Sequence, residues 1–231
     1  MEKEMEKGKE YNNDNNKLKF EGQYLNGKRN GEGNEYYSNG KLKFEGEYLI
    51  GKRWNGKGYN KEGNIDFEIK EGKGKGKEYD YDGNLEFEGE YLNDEKNGKG
   101  KEYYSNFNGK LKLEGEYLNG KINGKVKKYF YNGNIEFDGE YLNGEIKNGK
   151  EFNYDGNLEF DGKYLNGERW NGTVKKYYCN GNIEFDGEYL NGKINGRGKE
   201  YDYDGELEFD GEYLNEERWN GNLQSIIVKV N

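Results

Sequence analysis

Residues Phe137-Asp138-Gly139-Glu140-Tyr141-Leu142-Asn143-Gly144 decide the fold, because the same octapeptide recurs along the whole chain. It begins at Phe20, Phe44, Phe87, Leu113, Phe137, Phe160, Phe185 and Phe209. Its glycine stands at 22, 46, 89, 115, 139, 162, 187 and 211, a spacing of 23 to 26 residues with one gap of 43 between Gly46 and Gly89. That gap holds a worn copy from Phe67, FEIKEG, which has lost its Tyr-Leu. Each copy continues into a second half such as Asn97 to Tyr104, NGKGKEYY, and then into a turn such as Asn132-Gly133, Asp82-Gly83 or Asp204-Gly205. Asn-Gly and Asp-Gly between apolar-aromatic runs signal hairpins, because both residues accept positive φ. A fixed period of this size marks a repeat array.

Within NLEFEGEYL, Asn84 to Leu92, the period is two: Leu85, Phe87, Gly89 and Tyr91 share one face, and Glu86, Glu88, Glu90 and Leu92 the other. The glycine is read as space for a ring of the neighbouring strand. Second strands start basic (Lys73, Lys75, Lys77) and end aromatic (Tyr79), so acidic first strands beside them set up a charged face. Adjacent Tyr103-Tyr104 and Tyr177-Tyr178 leave the parity unresolved there. The fold expected is all-β, a single-domain elongated, twisted antiparallel sheet of repeated hairpins. Residues 1–16 form an N-terminal half-repeat or arm, 17–222 about nine hairpin repeats, and 223–231 a C-terminal capping strand.

The chain has 231 residues, a net charge of −9, no Pro, no His, one Cys and 36% charged residues. Leu, Ile, Val and Phe make up under a fifth of it, a share usual for disordered chains. Tyr 23, Phe 11 and Trp 3 argue otherwise, since each buried ring removes roughly 150–250 Å² from water. The absence of His excludes imidazole catalysis and imidazole metal sites, and a lone Cys179 excludes a disulfide framework. The acidic balance disfavours nucleic acid. Without an apolar leader or an apolar run of membrane length, a cytoplasmic location is expected.

The run F-E-G-E-Y-L-N-G-K-x-N-G-K-G-K-E-Y-Y resembles the MORN (membrane occupation and recognition nexus) repeat, over nearly all of residues 7 to 222. Two departures stand out. The second aromatic, usually Trp, is Tyr in the eight clear copies, and the residue before the paired Gly, often His, is Asn (Asn30, Asn55, Asn97, Asn123, Asn148, Asn171, Asn195, Asn220). The resemblance implies one hairpin per repeat, aromatics lining a groove, and a role as scaffold or interaction module.

Chemistry is sparse. The carboxylates recur identically in every copy, whereas a catalytic dyad needs two acids in different environments, so no enzyme and no cofactor are expected. Asp80-Tyr81-Asp82-Gly83 and Asp202-Tyr203-Asp204-Gly205 lack the remaining ligands of a Ca²⁺ loop and read as turns. Lys70, Lys73, Lys75 and Lys77 form the most basic local patch. Trp54, Trp170 and Trp219 share the context Arg-Trp-Asn-Gly, where Ile122 or Ile194 stands in other copies, and read as side chains folded over the sheet edge or as rim anchors. The row Phe137, Tyr141, Phe160, Tyr164, Phe185 and Tyr189 is the expected partner-binding groove. The expected function is a non-catalytic scaffold for protein–protein interaction, holding a partner segment or a second copy. Anionic phospholipid is the alternative ligand and a glycan the third.

Overall fold

The computed structural model describes residues 5–13, 16–79, 84–105 and 109–223. The chain divides into two compact units, Met1–Lys121 and Ile122–Asn231. The first carries β1 (Glu6–Tyr11), β2 (Leu18–Leu25), β3 (Lys28–Tyr36), β4 (Leu42–Leu49), β5 (Lys52–Tyr59), β6 (Ile65–Lys70), β7 (Lys73–Tyr79), β8 (Leu85–Leu92), β9 (Glu95–Tyr103) and β10 (Leu111–Leu118). The second carries β11 (Lys121–Tyr129), β12 (Ile135–Leu142), β13 (Glu145–Phe152), β14 (Leu158–Leu165), β15 (Glu168–Tyr177), β16 (Ile183–Leu190), β17 (Lys193–Tyr201), β18 (Leu207–Leu214) and β19 (Glu217–Leu223). Within each unit every strand pairs antiparallel with the next in the chain, and no helix occurs among the described residues. The all-β hairpin array stands, with β1 as the half-repeat, its Gly8 opposite Gly22. The capping strand expected at 223–231 falls almost wholly outside the described residues, as does the turn at Asp82-Gly83.

Two turns alternate. The tight one has positive φ at both central residues, as at Asn26 (52°) and Gly27 (72°), which matches the twist of the flanking strands. Ile50, with φ of 51°, occupies that left-handed position in one copy. The wider turn is closed by bonds such as Tyr37 N–H to the Lys41 carbonyl and Gly40 N–H to the Tyr37 carbonyl. Successive repeats are tied at both turns. Gly51 N–H donates to the Arg29 carbonyl, the Tyr37 hydroxyl to the Tyr59 carbonyl, and Ile50 N–H to Asn30 Oδ1. The same last bond joins Glu71 to Asn55, Asn143 to Asn123 and Asn191 to Asn171, which gives those recurrent asparagines a structural task.

Glycines line up across the strands: Gly8, Gly22, Gly33, Gly46 and Gly56, and later Gly139, Gly149, Gly162 and Gly172, are successive cross-strand partners. The reason differs in part from the one expected. The ring over Gly22 is Phe20 of its own strand, whose Cζ would lie 2.7 Å from an added Cβ. The same Phe20 lies over Gly33 of the next strand, at 2.5 Å. One phenylalanine thus covers two glycines, and neither tolerates a side chain.

The ladder also corrects the alignment of the tryptophans. Tyr48 pairs with Arg53 and Glu47 with Asn55, so Trp54 is the extra residue of a bulge; Trp170 and Trp219 are likewise skipped. Ile146 and Ile194 face Tyr141 and Tyr189, the place that Arg takes elsewhere, so isoleucine replaces the arginine and not the tryptophan. The worn hairpin β6–β7 is shorter, turning at Glu71-Gly72, and Ile69 stands in the glycine row. The next tip compensates: Asp94 accepts a bond from Arg53 N–H at 2.8 Å, and Glu95 pairs with Lys52 at 3.0 Å, across the short hairpin.

Candidate functional site

The two faces differ in chemistry. One carries the exposed ladder of Lys and acid expected from sequence: Lys9–Glu21 (3.2 Å), Lys127–Asp138 (3.4 Å), Lys175–Asp186 (3.0 Å) and Lys199–Asp210 (3.5 Å). Such exposed pairs are worth about 0–1 kcal/mol each and act mainly on register and solubility. The first tyrosine of each second-strand end joins this face, with Tyr36 donating to Glu21 and Tyr103 to Glu88. That settles the parity left open by the Tyr-Tyr pairs.

The other face is built in three layers. The floor is one phenylalanine per repeat, replaced once by Leu113, and Phe20, Phe44 and Phe160 have no exposed surface. Tyrosines stand edge-on against this floor, from the same strand and from the following repeat: Phe20 meets Tyr24 at 5.6 Å and Tyr48 at 5.1 Å, and Phe160 meets Tyr164 at 5.3 Å and Tyr189 at 5.8 Å. A basic side chain from the hairpin tip closes the floor from above: Arg29 sits 3.9 Å over Phe20, Lys96 3.9 Å over Phe87, Arg53 4.8 Å over Phe44 and Arg218 4.7 Å over Phe209.

A carboxylate binds these layers together, and sequence reasoning missed it. Glu35 is the ladder partner of Phe44, so its side chain points to the ring face. It accepts from Tyr48 Oη at 2.9 Å, Arg29 Nη1 at 2.9 Å and Arg53 Nη2 at 2.5 Å. Glu10 holds Tyr24 and Arg29, Glu78 holds Tyr91 and Lys96, Glu102 holds Tyr117, and Glu200 holds Tyr213 and Arg218. Hydrogen bonds from Arg29, with Tyr24 helping, bring the Glu10 carboxyl down to about 2. Burial, then the bond to Glu10, pushes the Tyr24 phenol up to about 12. Burial and the neighbouring carboxylate drive Tyr48, Tyr91, Tyr117 and Tyr213 far above the ordinary phenol range. Parity carried the signal: Gly76 and Glu78 are two apart, so the glutamate of Lys-Glu-Tyr shares the glycine's ring side.

The six residues expected to line a groove do share this face. Five are core: Phe137 is 3% exposed, Tyr141 6%, Phe160 0%, Tyr164 8% and Phe185 4%. Tyr189 is half-buried. They form a packed layer whose outward surface consists of phenol edges and the charged groups above them.

Besides the worn repeat, where Gly58 faces Phe67, two repeats break the carboxylate rule. Lys128 is the ladder partner of Phe137, and Lys176 of Phe185, where other copies place glutamate. The Lys128 ammonium lies 5.0 Å from the Tyr141 ring centre. Among the described residues neither lysine lies within 4 Å of a carboxylate, although Lys176 acts at longer range on Glu200, and neither the Tyr141 nor the Tyr189 hydroxyl has a hydrogen-bond partner. Between them, the buried Tyr164 hydroxyl stands beside Glu151, whose carboxylate is taken by Arg169, and burial together with Glu151 drives this phenol far above the ordinary range.

Comparison with known families now bears on the repeat. The MORN repeat matches residues 20–41, 87–109, 114–135 and 185–206. The chain carries MORN repeats. Three of the matched segments begin at the floor phenylalanine, Phe20, Phe87 or Phe185, and the fourth begins just after Leu113; all four run on through the tight turn. No curated protein matches the array. Among solved structures, "Crystal Structure of TcdB2-TccC3-TEV" is similar at 10% identity and a TM-score of 0.18, over 89% of this chain and 13% of that one. "Crystal Structure of TcdB2-TccC3 without hypervariable C-terminal region" is similar at 12% identity and a TM-score of 0.18, over 90% and 12%. This chain therefore spans about an eighth of those chains.

Proposed function

We propose that this MORN array is a non-catalytic scaffold that holds a segment of a partner protein along its ring face, in the second unit over Phe137, Tyr141, Phe160, Tyr164, Phe185 and Tyr189. The observation that carries the reading is the repetition of tyrosine edges at strand spacing over a rigid phenylalanine floor, with Lys128, Arg169 and Lys176 beside them. A surface of that kind offers a partner the same contacts repeat after repeat. The ring-face carboxylates support a binding role over a catalytic one: Glu35, Glu78 and Glu200 are each held by a phenol and at least one cation, so none of these three is a free acid. The phenylalanines stiffen the surface from beneath, and the contacts come from tyrosine edges and the charged tips.

The test compares immobilised wild-type chain with two variants in affinity capture from the source cell. Tyr141→Phe, Tyr164→Phe and Tyr189→Phe together keep the rings and remove the hydroxyls. Glu140→Lys with Glu188→Lys alters the opposite face. The reading predicts that the first variant loses most of the captured partner and the second retains it. Capture abolished by the second variant and unchanged by the first would place the site on the acidic–basic face.

A further inference from the structure

The partner's chemistry is legible where the carboxylate rule breaks. In the repeats of Glu10, Glu35, Glu78, Glu102 and Glu200, the tyrosine hydroxyl donates to a glutamate opposite the floor residue. In the repeats of β11–β12 and β15–β16 that acceptor is replaced by Lys128 and Lys176. At the first place the Lys128 ammonium lies 5.0 Å from the Tyr141 ring centre, and at the second Lys176 and Tyr189 share the ring face. The carboxylates on the far side of the two floor rings, Glu151 opposite Phe137 and Glu200 opposite Phe185, are held by Arg169 and Arg218, and Lys176 feels Glu200 only at longer range. Glu136 and Glu184, each one residue before its phenylalanine, are the nearest acids along the chain, and neither forms an ion pair with these lysines. Tyr164, 8% exposed, lies between the two places beside Glu151.

We infer that Lys128 with Tyr141, and Lys176 with Tyr189, are two carboxylate sockets, and that the partner segment is an extended acidic peptide with two acidic side chains set to reach both. The inference rests on the ring-face reading above and adds the partner's chemistry. Each socket supplies from outside the chain the carboxylate that other repeats supply from within. A charge-assisted bond from an ammonium together with a phenol bond is the combination that favours carboxylate over amide. The sockets lie four strands apart in the sheet of the second unit, about 19 Å at a strand spacing of about 4.8 Å. An extended peptide rises about 3.3 Å per residue and alternates faces, so acids at positions i and i+6 point the same way about 20 Å apart.

The probe is a fluorescein-labelled nine-residue peptide of Thr and Val with Glu at its second and eighth positions, titrated against the full chain by anisotropy. Saturable binding is expected, at least tenfold tighter than for the same peptide with Gln at both positions, and weaker again when the second Glu moves to position five. Lys128→Gln with Lys176→Gln should cost tenfold or more, and Tyr141→Phe with Tyr189→Phe, which leaves the floor intact, several-fold. Glu136→Gln with Glu184→Gln should not weaken binding. Circular dichroism checks that each variant is folded. Equal binding of the Glu and Gln peptides would overturn the sockets while leaving the ring face as a peptide surface. Absence of binding by the Glu peptide, or binding unchanged in the folded lysine variant, overturns them as well. Lysine-dependent pelleting with phosphatidylserine vesicles, without peptide binding, would assign the sockets to a membrane and overturn both readings.

Discussion

Replacing Glu35 by Gln tests the buried carboxylate directly. The change is nearly isosteric, but it removes the charge that Arg29, Arg53 and Tyr48 share. The Glu35 side chain is 14% exposed, so water compensates little. Removing one partner of a buried pair costs about 3–5 kcal/mol. Here Arg29 keeps Glu10, and the amide oxygen still accepts one bond, so about 2–3 kcal/mol is expected. With a urea slope of about 1–2 kcal/mol per molar, the first unit's midpoint falls by roughly 1–2 M. Trp54 fluorescence reports on that unit. Glu32→Gln, on the opposite and exposed face, should stay within about 0.5 kcal/mol. The two cations beside Glu35 hold its carboxyl below the usual range, despite burial acting the other way. Its contribution is therefore complete above the unfolded glutamate value, about 4.3, and is lost as pH falls through the lower folded value. The wild-type unit should lose stability in acid more steeply than the Gln variant. Equal midpoints for the Glu35 and Glu32 variants, or equal acid slopes, would refute the carboxylate's role.

Ile50→Asn should stabilise the first unit by about 1 kcal/mol in urea melts, because Ile50 is 64% exposed and held at φ of 51°, where a β-branched residue is strained. Gly139→Val should cost the second unit about 3 kcal/mol or more by Trp170 fluorescence, because its Cβ would lie 2.3 Å from the Asn148 carbonyl oxygen and 2.6 Å from the Phe137 ring. In alkali, tyrosinate absorbance should rise in two stages, with Tyr24 and Tyr79 ionising only near 12. A phenol raised by folding adds stability that is complete below the unfolded value, about 10, and lost as pH rises through the folded one, so base unfolding should begin above about pH 10. A single tyrosine titration near 10 with the sheet intact would contradict this.

The octapeptide made the hairpins and faces legible, because period-two alternation and Asn-Gly turns are local physics. The Lys–acid ladder followed from the same alternation. What stayed hidden depended on register. Glu35 shares the ring side because Gly33 pairs with Gly22 and Gly46, and only the ladder fixes that level. The bulges then decoupled sequence alignment from spatial alignment, so Ile194 appeared to match Trp170 when it matches Arg169. The row from Phe137 to Tyr189 was correctly assigned to one face, yet its exposure was not legible. The tip side chains beside the rings lie nine residues further along the chain, Arg169 from Phe160 and Ile146 and Ile194 from Phe137 and Phe185, as Arg29 does from Phe20.

Hydroxyl-radical footprinting read by mass spectrometry tests the central claim, that the phenylalanines are a covered floor and the ring face acts through its tyrosine edges and charges. Phe137, Phe160 and Phe185 should be protected to the level of Phe20, while Tyr131 and Tyr203, about half exposed, should be modified readily. Modification of Phe137, Phe160 and Phe185 at the rate of Tyr131 would mean an open aromatic groove, and the account would be wrong.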